Sequence, residues 1–232
     1  MKTQRALSAL LLALSLFFGA APAARASMPA WNVTKETIEA VQGTWYDLDG
    51  NVAFVVNGDD FNGRRLVHAM NFAGPRACLA DVFFEGEDLG GPAGHFIRWM
   101  TNRRFLTVDG KVCRNTKEPE YFESVRGVYL GMKTEDMIAL LGEPEQNIKN
   151  RRFVWPDMSV NTEDGIVTAI FLPSGGARLE VSGLGADDAP EDFATAYDFA
   201  EGWDGKESKE IGSYGEYLRK QDGKIILSLS KK

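Results

Sequence analysis

The residue types best suited to chemistry are scarce in this chain: two cysteines, Cys78 and Cys113, and two histidines, His68 and His95. A zinc site would need all four, but they stand 10, 17 and 18 residues apart, which matches no compact ligand pairing. In an exported chain two cysteines favour a disulfide, worth about 3 to 4 kcal/mol over that separation. Zinc and a pair of reduced thiols are the alternatives.

The sequences around the serines do not indicate a catalytic nucleophile. Ser174 stands in Leu-Pro-Ser-Gly-Gly and Ser213 in Gly-Ser-Tyr-Gly, and neither is a Gly-x-Ser-x-Gly elbow. A hydrolase would therefore need His68 or His95 beside a carboxylate. Because His68 alternates with apolar neighbours on a predicted strand, a solvent-facing or rim position is favoured over a catalytic one. The sequence predicts no catalytic residue, no metal and no cofactor.

Residues 1–26 have the layout of a cleavable secretory signal. Lys2 and Arg5 precede an apolar stretch from Ala6 to Ala21, and the small residues Ala24 and Ala26 precede Ser27. The apolar stretch is shorter than the ~20 residues of a membrane-spanning helix. We expect cleavage after Ala26, no stable membrane anchor afterwards, and a periplasmic or secreted protein.

The charge balance restricts the partners of the mature chain. Cleavage removes three of 26 basic residues, so 23 remain against 33 acidic ones, a net charge of −10. An acidic surface repels phosphate backbones and anionic membranes. Nucleic acid is therefore not an expected partner.

Turn signals divide the chain into short strands. Seven Asp-Gly or Asn-Gly pairs begin at positions 49, 57, 62, 109, 164, 204 and 222, and such pairs suit tight hairpins. Between Gly43 and Arg114 the pattern predicts seven short strands with little helix, typical of an antiparallel meander or small barrel. In the last predicted hairpin, Phe105 and Leu106 are expected on opposite faces of the first strand, and Val112 and Cys113 on opposite faces of the second.

Beyond Pro119 the pattern changes to a helix followed by strands. Thr134 is the predicted N-cap, Gly142 the C-cap and Pro144 the stop. Strands are predicted at 152–155, 159–162 and 166–172. The predicted fold class is therefore α+β and β-rich, with a signal at 1–26, an antiparallel β domain at 31–116 and an α+β domain at 120–232.

Two family resemblances accompany these motifs. Leu130-Gly131-Met132-x-Thr134, ending in Leu141-Gly142-x-Pro144 before a small sheet, resembles the SmpA/OmlA-like domain over residues 125–172. Outer-membrane assembly lipoproteins and β-lactamase inhibitor proteins share that fold, although this chain lacks the lipidated cysteine. Gly43-Thr44-Trp45 resembles the Gly-x-Trp opening of lipocalin-like barrels.

A second copy of the α+β unit is predicted at 179–230. The Asp222-Gly223 turn lies between two predicted strands, as the Asp164-Gly165 turn does. Pro190 suits the first turn of a second helix. The alternative is that the tail simply extends one sheet.

Aromatic residues are the remaining candidates for function. We expect Trp99, Trp155, Tyr214 and Tyr217 to contribute to a binding surface, because aromatic residues dominate protein-binding hot spots. The expected role is a non-enzymatic module that binds an envelope or extracellular protein. A barrel enclosing a small apolar ligand, lined by Trp45, Phe54, Phe72 and Trp99, is one alternative, and a hydrolase with an unrecognised site is the other.

Overall fold

An antiparallel sheet of eight strands closes into a barrel in the computed structural model, which describes residues 33–70, 78–88, 94–99 and 103–230. The predicted signal and Phe72 lie outside the described residues. The barrel strands are β1 (Gly43–Asp47), β2 (Val52–Asn57), β3 (Asp60–Phe61), β4 (Arg64–Met70), β5 (Leu79–Phe84), β6 (His95–Trp99), β7 (Phe105–Val108) and β8 (Lys111–Arg114). The β-rich class is confirmed, and among the barrel strands β3 is the one that the sequence pattern did not predict.

The barrel interior is filled by its own side chains. Trp45 is 1% exposed and Ile97 and Leu106 are fully buried in one cluster. An eight-stranded barrel is just wide enough for side chains to fill. Helix α1 (Val33–Ala40) joins this core through Ile38 and Ala40.

The β7–β8 hairpin has two buried faces, and this explains its strict alternation. Leu106 pairs with Cys113 and both belong to the barrel core. Phe105 and Val112 point the other way and belong to the core of the C-terminal region. At this hairpin the outer wall of the barrel is thus packed, and barrel and C-terminal region belong to one compact unit.

The C-terminal region is built on a seven-stranded antiparallel sheet in the order β11-β12-β13-β14-β17-β16-β15. Its strands are β11 (Gln146–Ile148), β12 (Arg152–Val154), β13 (Ser159–Glu163), β14 (Ile166–Pro173), β15 (Lys209–Ile211), β16 (Glu216–Gln221) and β17 (Lys224–Ser228). A separate two-stranded ribbon joins β9 (Ser124–Val125) to β10 (Val128–Tyr129).

Helices α2 (Thr134–Leu141) and α3 (Pro190–Tyr197) cover one side of this sheet. Met137 of α2 and Phe193 of α3 are fully buried in the same cluster as Ile170 and Leu227. Gly142 ends α2 with φ +79°, as predicted. The prediction of Thr134 as N-cap was wrong by one residue: Lys133 occupies the cap, and the Thr134 backbone N–H donates to Gly165.

The two Asp-Gly hairpins lie side by side at the centre of the sheet. Strand β14 of the first hairpin pairs antiparallel with β17 of the second, with Ala169 opposite Ser228 and Ile170 opposite Leu227. The second hairpin therefore extends the sheet of the first.

Candidate functional site

The side of the C-terminal sheet opposite α2 and α3, called the open face below, presents the most distinctive surface. Alternation directs Phe171 and Ile226 to this face, since Ile170, Leu172, Ile225 and Leu227 enter the core. Strand register gives its rows as Gln146, Val154, Ser159, Phe171, Ile226 and Arg219; Ile148, Arg152, Asn161, Ala169, Ser228, Tyr217 and Glu210; and Pro173, Lys224 and Gln221.

An arginine–aromatic pair occupies the centre of the open face. The Arg152 guanidinium lies 5.4 Å from the Phe171 ring centroid, and its Nη2 donates to Ser159 Oγ at 3.3 Å. Arg219 stands opposite Ile226, which in turn stands opposite Phe171. Two guanidinium groups therefore flank a short apolar row. Arginine and aromatic residues are enriched in binding hot spots.

A cavity of about 360 Å³, called the notch below, lies where the barrel wall meets the open face. Trp99 and Phe105 line it from the barrel, and Phe171, Ile226 and Leu229 line it from the sheet region. Polar groups at its walls include Asn161, Thr168 and Ser228. A cavity of this size and composition accommodates a large side chain or a small molecule.

Ion pairs fix the end of the notch. Arg98 on β6 contacts Glu163 at 2.5 Å and also bonds Asp164, which accepts a second hydrogen bond from Thr107 Oγ1 at 3.1 Å. Burial is the largest single effect on the pKa of Arg98 and lowers it, but the hydrogen bonds and charges of Glu163 and Asp164 together outweigh burial and raise this pKa. The Asp164-Gly165 turn is thereby held on the barrel wall.

The four predicted surface aromatics divide between surface and core. Trp99 lines the notch, Tyr217 lies on the open face, and Tyr214 is half-buried under the Arg104 guanidinium, 5.7 Å from its ring centroid. The prediction for Trp155 was wrong. It is 5% exposed, belongs to the core, and its indole N–H donates to the Gly142 carbonyl at 3.2 Å.

The predicted disulfide is absent, and strand register explains why. Cys113 pairs with Leu106, Leu106 pairs with Trp99, and the Trp99 N–H bonds the Cys78 carbonyl at 2.8 Å. Cys78 and Cys113 thus stand three strand spacings of about 4.8 Å apart, beyond the ~7 Å limit for bridging. Both are thiols, and burial raises the pKa of Cys113 to about 11.

Thiol labelling checks this arrangement. We expect N-ethylmaleimide to modify the native protein once, at half-buried Cys78, which lines the notch. Cys113 is 0% exposed and should react only after unfolding. Mass spectrometry of the labelled peptides distinguishes the two sites. Recovery of a Cys78–Cys113 cross-linked peptide from non-reduced protein would contradict the register.

The two histidines lie apart from the notch. His95 Nδ1 lies 2.7 Å from Asp109 Oδ2, and its Nε2 lies 3.4 Å from Glu87 Oε1. Arg64 joins the same network through Glu87 at 2.5 Å. This cluster ties two barrel turns together at the surface, while His68 packs against the Phe83 ring.

Among the described residues, those predicted to line a ligand cup in the barrel take other positions. Of its predicted lining, Trp45 is a core residue and Phe54 packs on Phe61 with ring centroids 5.2 Å apart. Trp99 lines the notch instead.

Two buried carboxylates anchor the segment that joins the barrel to the C-terminal sheet. Glu216 accepts backbone N–H bonds from Phe122 at 2.9 Å and Glu123 at 3.1 Å. Glu123 accepts from the N–H groups of Val181 and Ser182, both at 3.0 Å, and from Tyr197 Oη at 2.6 Å. Both glutamates are 0% exposed. Charged acceptors bound by several donors give a rigid connection.

Sequence reasoning missed Arg152, Phe171, Arg219 and Ile226, the residues at the centre of the open face. Alternation along Thr168–Leu172 separates two faces, but it does not say which face the helices cover. That information comes from the position of α2 and α3.

No protein-family model, curated protein or solved structure matches the chain. Within the described ranges, no helix has both the length and the apolar character needed to cross a bilayer. The same residues hold no group of three or more His, Cys, Asp or Glu side chains arranged for a metal ion.

Proposed function

We propose that this chain is an exported, non-enzymatic protein-binding or envelope-assembly module whose partner docks on the open face. The observation that carries the proposal is the surface itself: arginine and aromatic side chains surround an apolar row on a sheet whose other side is covered by helices. Rigid strands present these groups at fixed spacing, which lowers the entropic cost of binding.

The notch adds an anchor site to this surface. Phe171 and Ile226 belong to both the notch and the open face, so a partner on the face can insert one large side chain beside Trp99. Buried anchors in pockets of this kind carry most of the affinity in protein interfaces.

Two sequence features support the same proposal. The signal at residues 1–26 directs the chain to a compartment where an assembly module would act. The resemblance of residues 125–172 to the SmpA/OmlA-like domain agrees with a binding role, by analogy of fold.

Affinity capture tests this function. The mature protein, residues 27–232, is incubated with an envelope extract of its source, and Phe171→Ala is compared with Phe96→Ala. Phe96 is 40% exposed on the barrel and controls for loss of an aromatic side chain elsewhere. We expect one stoichiometric protein partner whose affinity falls at least tenfold with Phe171→Ala, as for a hot spot of about 2 kcal/mol, and stays unchanged with Phe96→Ala.

Two results would overturn the proposal. One is a partner that both variants retain equally, which places the interface elsewhere. The other is a co-purifying small molecule, seen by native mass spectrometry, with no protein partner.

A further inference from the structure

The open face is basic although the chain as a whole is acidic. Arg152, Arg219 and Lys224 lie on it, and the acids among its described sheet positions are Glu210 on the edge strand and Glu163 at the end of β13. At the end of β13, Glu163 and Asp164 are already paired with Arg98. The whole chain carries −7. The positive charge is therefore concentrated where the candidate interface lies.

The geometry of these cations suits carboxylates. Arg152 is held by stacking on Phe171 and by its bond to Ser159 Oγ, so little side-chain entropy remains to be lost on binding. A guanidinium held in this way presents its N–H groups in the plane that pairs with a carboxylate through two bonds. Arg219 lies two strands from Phe171, so the two guanidinium groups bracket the apolar row.

The apolar row restricts the partner further. Val154, Phe171 and Ile226 follow one register row across the sheet. Ile226 is 8% exposed and Val154 and Phe171 are half-buried, so a binding segment covers chiefly Val154 and Phe171 while its acids meet the arginines. The extended negative charge of nucleic acid or of an anionic bilayer would meet the repulsion of the acidic remainder of the chain.

We infer that the open face recognises a protein segment in which Asp or Glu residues flank an aromatic or aliphatic side chain. This inference rests on the proposed function and adds the chemistry of the partner. Acidic residues supply the bonds to Arg152 and Arg219, and the apolar residue covers Phe171 or enters the notch.

A random dodecapeptide library selected on the mature protein tests the inference. The selected peptides are then measured on Arg152→Glu/Arg219→Glu and on Lys35→Glu/Lys206→Glu, which changes the net charge equally on helix α1 and in the loop before β15. We expect acidic peptides with an apolar residue, at least tenfold weaker binding to the first variant and unchanged binding to the second. Affinity should also fall as salt rises from about 0.05 to 0.5 M.

The outcomes separate the two proposals. Peptides that are lost with Phe171→Ala but are not acidic would overturn this inference and leave the proposed function standing. An absence of peptides dependent on Phe171 would count against both. Arginine-dependent binding to phosphatidylglycerol vesicles without any peptide would overturn the inference in favour of a lipid surface.

Discussion

Glu216→Ala is expected to lower the free energy of unfolding by about 3 kcal/mol or more. The substitution leaves the buried N–H groups of Phe122 and Glu123 without their acceptor, and each such group costs about 1 to 3 kcal/mol. Relief of repulsion between Glu216 and the neighbouring Glu123 carboxylate acts in the opposite direction and is smaller. Urea unfolding of both proteins measures the difference.

Glu210→Ala is the matched control for this substitution. Glu210 lies on the neighbouring strand β15 and is exposed, so its removal should change the free energy of unfolding by less than about 0.5 kcal/mol. Equal losses for the two variants would show that the buried bonds to the connecting segment contribute nothing specific.

The pH dependence of stability gives Glu216 a second readout. Burial raises the pKa of this carboxyl above its ordinary 4.5, against the lowering effects of two N–H donors and Arg104. The folded protein therefore binds the proton more tightly than the unfolded chain does. The stability that this tighter proton binding gives the folded protein is fully present below about pH 4.5. It is lost as the pH rises through the raised pKa of Glu216. Relative to Glu216→Gln, the wild-type protein should thus lose stability as the pH rises from 4.5.

Gly131→Ala is the second substitution with a large expected effect, about 3 kcal/mol. Gly131 has φ +89°, and a Cβ atom there would clash with Phe105 Cζ. Backbone strain and overpacking each cost about 1 to 3 kcal/mol. Because Phe105 belongs to the barrel wall, the clash falls on the contact between barrel and C-terminal region. Urea unfolding measures the loss.

Gly165→Ala separates strain from the clash. Gly165 has φ +79°, but a Cβ atom there would meet nothing within 4 Å, so a loss of about 1 kcal/mol is expected. Combining Gly131→Ala with Phe105→Leu should recover part of the loss, since the smaller side chain vacates the contested space. Equal losses at Gly131 and Gly165, or no recovery, would contradict a close contact with Phe105.

Local signals predicted most of the strands and turns. Asp-Gly pairs at 109, 164 and 222 mark hairpins because both residues accept positive φ, which the structure shows for all six. The β3 strand escaped prediction because two residues cannot show alternation. Gly131 was noted as part of a motif, but its contact with Phe105 depends on how barrel and sheet pack.

The candidate site depends on long-range geometry, so the sequence predicted less of it. Glu216 and Glu123 bind backbone groups 58 to 94 residues away, and neither carries a local signal. The disulfide prediction rested on compartment and not on strand order, which separates Cys78 from Cys113. Trp155 was placed on the surface because aromatic content does not distinguish a covered face from an open one.

The antiparallel pairing of the two hairpins through β14 and β17 has a consequence for how such a sheet is assembled. An antiparallel pair about a two-fold axis is the contact by which two identical subunits form a closed homodimer. Here both halves belong to one chain, so their pairing needs no second molecule and does not weaken on dilution. The halves can also differ in sequence, and they do: the first places Phe171 and Arg152 on the shared face, and the second places Ile226 and Arg219 there. One chain thus joins two sheet halves edge to edge and presents a surface on which the halves differ, which a homodimer of identical halves could not offer.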